Sequence, residues 1–148
     1  VLSFDQGPGA TTGRLLDVLS RRNVPALFHV SSESFRNSTW RNYIQRAAYE
    51  GHNIGIFVPE LGSSLLDSHT GQTDSDMVLT QRIARTSNWI SAVTGRQPRH
   101  VRFGARSVPI NTKRMMEAMG LQLTKPKIDI KDDSNKIDAI WSSINKAF

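Results

Sequence analysis

Asp5 is the first residue whose type and position could do chemistry. It closes the apolar run Val1-Leu2-Ser3-Phe4 and is followed by Gln6-Gly7-Pro8-Gly9, so a carboxylate and an amide stand where an expected strand breaks into a tight turn. In α/β folds the carboxyl ends of parallel strands are where ligands and reacting groups are held. The histidines are His29, His52, His69 and His100. No two are three or four residues apart, the spacing that sets a metal-binding pair on one helix face, and His29 and His100 fall near expected strand ends. The chain has no cysteine, which excludes disulfides and thiolate metal ligands. Serines are plentiful, yet no G-x-S-x-G elbow occurs, and neither G-x-x-x-x-G-K-S/T nor G-x-G-x-x-G is present.

These residues need a scaffold, and composition bounds what it can be. A chain of 148 residues with 38% hydrophobic content suits one α/β domain spanning residues 1–148 with a buried core. No apolar run approaches the ~20 residues of a membrane-spanning helix. The net charge of +6 would favour an anionic partner, but the Lys and Arg residues are scattered and do not interleave with aromatics as in a nucleic-acid surface. Asn37-Ser38-Thr39 fits a glycosylation acceptor and equally a helix start. No signal peptide is visible, and Val1 already falls in the expected first strand, so the sequence reads as a domain excerpt or mature fragment.

Strand and helix patterns alternate along the whole chain. After the first strand, Thr11 or Thr12 caps a helix with Leu15, Leu16 and Leu19 on one face, ended by Asn23-Val24-Pro25. A strand over Ala26 to Val30 follows. A helix capped by Ser38 or Thr39 carries Trp40, Ile44, Ala47 and Ala48 and stops at Gly51, before a third strand from Asn53 to Val58. Residues 62–75 read as a polar loop over the strand tips. Asp74 or Ser75 opens a long helix with Leu79, Ile83, Ile90 and Val93 inward, and His100 to Phe103 reads as a fourth strand. Asn111 caps a helix whose Met115, Met116 and Met119 read as adaptable core filling. Leu121 to Ile130 reads as a fifth strand interrupted by Pro126, and Ser134 or Asn135 starts a last helix with Ile137, Ile140, Trp141 and Ile144 inward. Crossovers of this length imply parallel strands with right-handed connections. Periodicity does not choose between an open sheet and a barrel.

The opening run S-F-D-Q-G-P, then L-L-D-x-L, then N-V-P-A-L-F-H-V, resembles the first motif of the polysaccharide deacetylases (carbohydrate esterase family four, which includes chitin deacetylases). There it reads T-F-D-D-G-P, L-L-D-x-L and N-V-x-A-T-F-F. The resemblance implies an irregular (β/α) barrel with fewer than eight complete units, here incomplete at both ends. It makes Asp5 the position of the catalytic base and Gln6 the position of a carboxylate metal ligand. Gly51-His52-Asn53-Ile54-Gly55 resembles the start of G-H-x-I-G-N-H-T-x-x-H, with the two metal-binding histidines replaced by Phe57 and Leu61. His52 belongs to the matched scaffold and reads as a structural histidine. The Arg of R-P-P-Y falls on Arg102, while both prolines and the tyrosine are replaced. The acids of D-x-x-D-W fall on Asp129 and Asp132, without the tryptophan, so Arg102 with Asp129 beside Asp5 is the expected surviving charge cluster. The family's L-x-H motif lies past the last helix, after the end of this chain.

Zinc takes thiolate, imidazole and carboxylate ligands, and the family's zinc or other divalent metal activates a water and polarises the acetamide carbonyl. The resemblance together with its departures therefore implies a degenerate polysaccharide deacetylase with no metal cofactor and no deacetylase activity, binding chitin-like or other N-acetylated polysaccharide or serving as a wall-associated structural protein. Asp5, Arg102 and Asp129 are then vestigial catalytic positions, and Gln6, Phe57 and Leu61 line the groove. The alternative is an active metal-dependent deacetylase. A nucleic-acid partner is not expected. Extracellular or cell-wall placement is implied by the resemblance alone.

Overall fold

The computed structural model describes residues 1–59, 76–104, 108 and 110–126. Their strands are β1 (Leu2–Gly7), β2 (Ala26–Val30), β3 (Asn53–Val58), β4 (His100–Phe103) and β5 (Gln122–Leu123). All pair in parallel in the order β1-β2-β3-β4-β5. Helices α1 (Thr12–Arg22), α2 (Ser38–Tyr49), α3 (Asp76–Thr94) and α4 (Ile110–Ala118) alternate with them, and a 3-10 turn over Ser32–Arg36, unsignalled in the sequence, precedes α2. Strand order equal to chain order, without a reversal point, is the topology of a barrel rather than of a doubly wound sheet.

Alternation along the strands sorts side chains to two faces. Phe4, Phe28 and Ile54 share one register, as do Ile56 and Val101, and they pack with Leu16, Ile44, Ile83 and Ile90 of the helices into the main core. The other face carries Ser3, Leu27, Asp5, His29, Gly55, Phe57 and Arg102. Two bonds on that face measure the curvature. Asp5 of β1 meets Arg102 of β4 at 3.0 Å, and His29 of β2 meets Thr124, just past β5, at 3.3 Å. In a flat sheet the backbones of either pair would be about 14 Å apart across three strand spacings, more than the two side chains span. The sheet is therefore curled around the second face, as an irregular barrel requires.

Several boundaries differ from expectation. Val1 lies outside β1 and is exposed, and β1 runs through Asp5 to Gly7, so Asp5 sits within the strand rather than at its tip. The register shifts between Phe4 and Gly7, with Gln6 at φ +63; such a bulge re-aims adjacent side chains. Asn37, not Ser38 or Thr39, caps α2 by accepting a bond from the Trp40 amide at 3.2 Å. Asn111 lies inside α4 because that helix starts at Ile110. Met116 is buried and Met115 partly so, but Met119 is exposed past the helix end. The described part of the fifth strand is short; its expected continuation to Ile130, the last helix and the loop over residues 62–75 lie outside the described residues.

Candidate functional site

The inner face concentrates charge on one carboxylate. Asp5 accepts from His29 Nδ1 at 2.7 Å through Oδ1 and from Arg102 Nε at 3.0 Å through Oδ2. Three strands thus hold one side chain. Burial alone would push the Asp5 carboxyl up, but the hydrogen bond and charge of His29, with the guanidinium of Arg102, hold it below the ordinary carboxylate range. An ionised carboxylate only accepts, so His29 Nδ1 carries the proton of that bond. The Asp5 side chain is 30% exposed and that of Arg102 16%, whereas His29 is wholly buried.

His29 completes a chain from Thr124 through its imidazole to Asp5, with Nε2 at 3.3 Å from Thr124 Oγ1. Hydroxyl, imidazole and carboxylate in line are the parts of a nucleophilic triad, but two features count against that use. Arg102 draws on the same carboxylate, and neighbouring backbone donors are spent in the sheet: Thr124 N bonds Val101 O at 2.8 Å and Gly104 N bonds Val58 O at 2.9 Å. An oxyanion needs free, preorganised donors.

Gly55 makes room for the imidazole. A Cβ there would lie 2.8 Å from His29 Cδ2 and 2.9 Å from the His100 carbonyl oxygen. His100 is held below the ordinary imidazole range, chiefly by burial and then by the charges of His29 and Arg99. Phe57, beside Arg102 in register, points to the same inner face and is 5% exposed, a hydrocarbon filler rather than an open wall. Leu61, His69 and Asp129 lie outside the described residues. The structure thus brings together Asp5 and Arg102 as expected, and adds His29 and Thr124. The signal for His29 was available: it stands one residue before the end of the expected strand β2, where the resembling motif has Phe. Thr124 carried none.

A second polar arrangement lies at the opposite ends of the strands. His52 Nδ1 accepts from the Ala26 amide at 3.2 Å, and its ring meets Phe28 edge-on, which supports its reading as a structural histidine. A cavity of about 330 Å³ opens nearby, lined by Asn53, Thr94, Arg99 and His100 among others. It does not include the Asp5 cluster. The candidate site is placed at Asp5 because that is where the described residues converge charge from separate strands. Among the described residues, no group of three or more His, Asp or Glu side chains is arranged to hold a metal ion.

Comparison with known proteins gives the family. A family model described as polysaccharide deacetylase matches residues 1–124. The chain belongs to that family. A chitin deacetylase of Pestalotiopsis sp is 26% identical over 144 residues, covering 94% of this chain and 45% of that protein. The solved chitin deacetylase of the fungal pathogen Colletotrichum lindemuthianum superposes with a TM-score of 0.77 at 22% identity, over 99% of this chain and 63% of that one. A mutant of a CE4 family pseudoenzyme with restored enzymatic activity superposes with a TM-score of 0.80 at 15% identity, over 99% and 52%. This polysaccharide deacetylase domain therefore spans less than half of the Pestalotiopsis relative and less than two thirds of the Colletotrichum structure, and it shares their α/β fold built on a parallel sheet.

Proposed function

We propose that this polysaccharide deacetylase domain has lost its metal site, does not deacetylate, and holds an N-acetylated, chitin-like glycan at the Asp5 rim without turnover. The observation that carries the reading is the donor set at the family's metal positions. Gln6 offers a neutral amide from a bulge at φ +63, Phe57 a buried hydrocarbon ring, and Leu61 an aliphatic chain. These residues do not suit a divalent metal, whose protein ligands are thiolate, imidazole and carboxylate. The remaining carboxylate, Asp5, is a single group, fewer than the three or more protein ligands a zinc site takes.

The consequence for rate is large. Lewis-acid and water-activating effects each contribute several kcal/mol to a transition state, and every ~1.4 kcal/mol is tenfold. A carboxylate held below its ordinary range is a weak base and does not offset that loss. The pseudoenzyme among the structural relatives is precedent for an inactive member on this fold. Placement outside the cell or in the wall is part of the same proposal, by analogy with the polysaccharides that the named relatives act on. No helix among the described residues is long and apolar enough to cross a membrane.

Metal content after dialysis against zinc or cobalt, together with acetate release from an N-acetylglucosamine oligomer, tests the reading. No stoichiometric metal and no acetate are expected. One tightly held metal per chain with acetate release would establish an active metal-dependent deacetylase instead.

A further inference from the structure

We infer that His29 is a positioning residue that fixes Asp5 as a metal-independent acceptor for a hydroxyl or amide N–H of a neutral sugar. The inference rests on the glycan-binding reading above and adds to it the atoms that do the binding. Where the family motif reads N-V-x-A-T-F-F, this chain reads Asn23-Val24-Pro25-Ala26-Leu27-Phe28-His29. A phenyl ring at that position offers Asp5 nothing. The imidazole offers an N–H at 2.7 Å. The gain of a donor beneath Asp5 thus accompanies the replacement of metal-binding residues at Gln6 and Phe57 around it.

The imidazole is held on every side that matters. Its Nε2 reaches Thr124 Oγ1 at 3.3 Å, its Cδ2 edge lies against the backbone of Gly55, and none of its surface reaches solvent. With Arg102 Nε on the second oxygen at 3.0 Å, Asp5 is fixed from two directions. A carboxylate has about four lone-pair sites, and these two bonds fill two of them. The rest belong to a side chain 30% exposed at the rim. An acceptor presented in a fixed direction suits the O–H and N–H donors of a sugar, and its fixation removes ordering cost from binding. The same two partners that aim the carboxylate lower its basicity, so the arrangement binds donors rather than abstracting protons.

The experiment uses the whole chain, a chitin hexamer as probe and a chelator throughout. Wild-type protein is expected to bind the hexamer with an affinity that the chelator does not change. His29→Phe is expected to weaken binding at least tenfold while the chain stays folded, and His29→Gln, which keeps a side-chain N–H donor, to recover part of it. Where His29→Phe fails to fold, Thr124→Val releases the far side of the ring and is expected to cost a severalfold loss. Wild-type affinity in folded His29→Phe, or in Thr124→Val where His29→Phe does not fold, would overturn the inference, as would binding that disappears with chelation. A second readout separates this from failure of the glycan-binding reading. In nitrogen NMR of the imidazole, a protected His29 Nδ1–H is expected in the wild type and absent from Asp5→Ala. If no hexamer binds at all, the binding role is overturned, and the NMR signal shows whether His29 still positions Asp5; an unprotected Nδ1–H, or one unchanged in Asp5→Ala, overturns the positioning as well.

Discussion

Two buried histidines sit at opposite ends of the strands, and the protein uses them differently. His29 bonds through both ring nitrogens, to Asp5 and to Thr124, and ties β1 and the end of β5 to β2. His52 bonds through one, accepting the Ala26 amide, while its Nε2 faces the buried Glu50 Oε2 at 3.9 Å without a hydrogen bond. The first joins strands around a partly exposed carboxylate; the second ties the turn between α2 and β3 to the start of β2 and leads to no exposed group. A buried imidazole marks a candidate site only when its partners come from separate elements and end at the surface.

The largest difference between the surroundings of the two histidines is steric. Gly55→Ala forces a methyl to 2.8 Å from His29 and 2.9 Å from a backbone carbonyl that has little freedom to move, and overpacking of this kind costs about 3 kcal/mol. Gly51→Ala, beside His52, meets nothing within 4 Å and suffers only its φ of +90, a cost of about 1 kcal/mol. Denaturant melts of the two variants should differ accordingly; equal losses would mean that the His29 environment is no tighter than that of His52.

Removing the shared partner comes next. Asp5→Ala leaves Arg102 and His29 without their acceptor, and with the carboxylate partly exposed the expected destabilisation is about 2 kcal/mol. At the other end, His52→Leu keeps the packing against Phe28 but strands the Ala26 amide, at about 1 kcal/mol. If unfolding curves rank these two in the opposite order, the network around Asp5 holds the sheet together less than its geometry implies.

Acid titration gives the smallest and most specific effect. The folded Asp5 pKa is lowered, so the unfolded carboxyl takes a proton first as pH falls. Its contribution is full above the ordinary carboxylate range and lost as pH drops through the folded value. The folded His100 pKa is lowered too, so the unfolded imidazole is protonated first and stability begins to fall in the ordinary imidazole range. Both groups make acid destabilising, in two separate windows. Thermal melts across pH should show the upper window vanish in His100→Gln and the lower in Asp5→Asn; a single transition unchanged by either would remove the basis for assigning them.

Much of the fold was legible because periodicity and turn chemistry are local. Strands β2, β3 and β4 lie where apolar runs between helix stops predicted them, and Leu16, Ile44, Ile83 and Ile90 are buried as their helical spacing implied. The helix starts were less legible. Ser, Thr, Asn and Asp all suit a cap, and only the backbone decides that Asn37 turns its oxygen to the Trp40 amide while Asn111 is carried into α4. The bulge at Gln6 was hidden for a similar reason, since a non-glycine residue at φ +63 has no local signature.

At the site, the sequence named Asp5 from the turn that follows the first apolar run and from the family resemblance, and Arg102 from that resemblance alone; both lie inside their strands, one residue or more before the end. On the reading proposed above, Gln6, Phe57 and Leu61 stand where the family pattern has metal ligands, a matter of side-chain chemistry rather than of fold. The sequence could not place His29 against Asp5 or Thr124 against His29. Those contacts cross 24 and 95 residues, and they depend on the register of β1 with β2 and on the curl of the whole sheet. Local pattern sets which face a side chain points to; only the curl of the sheet decides what it meets there.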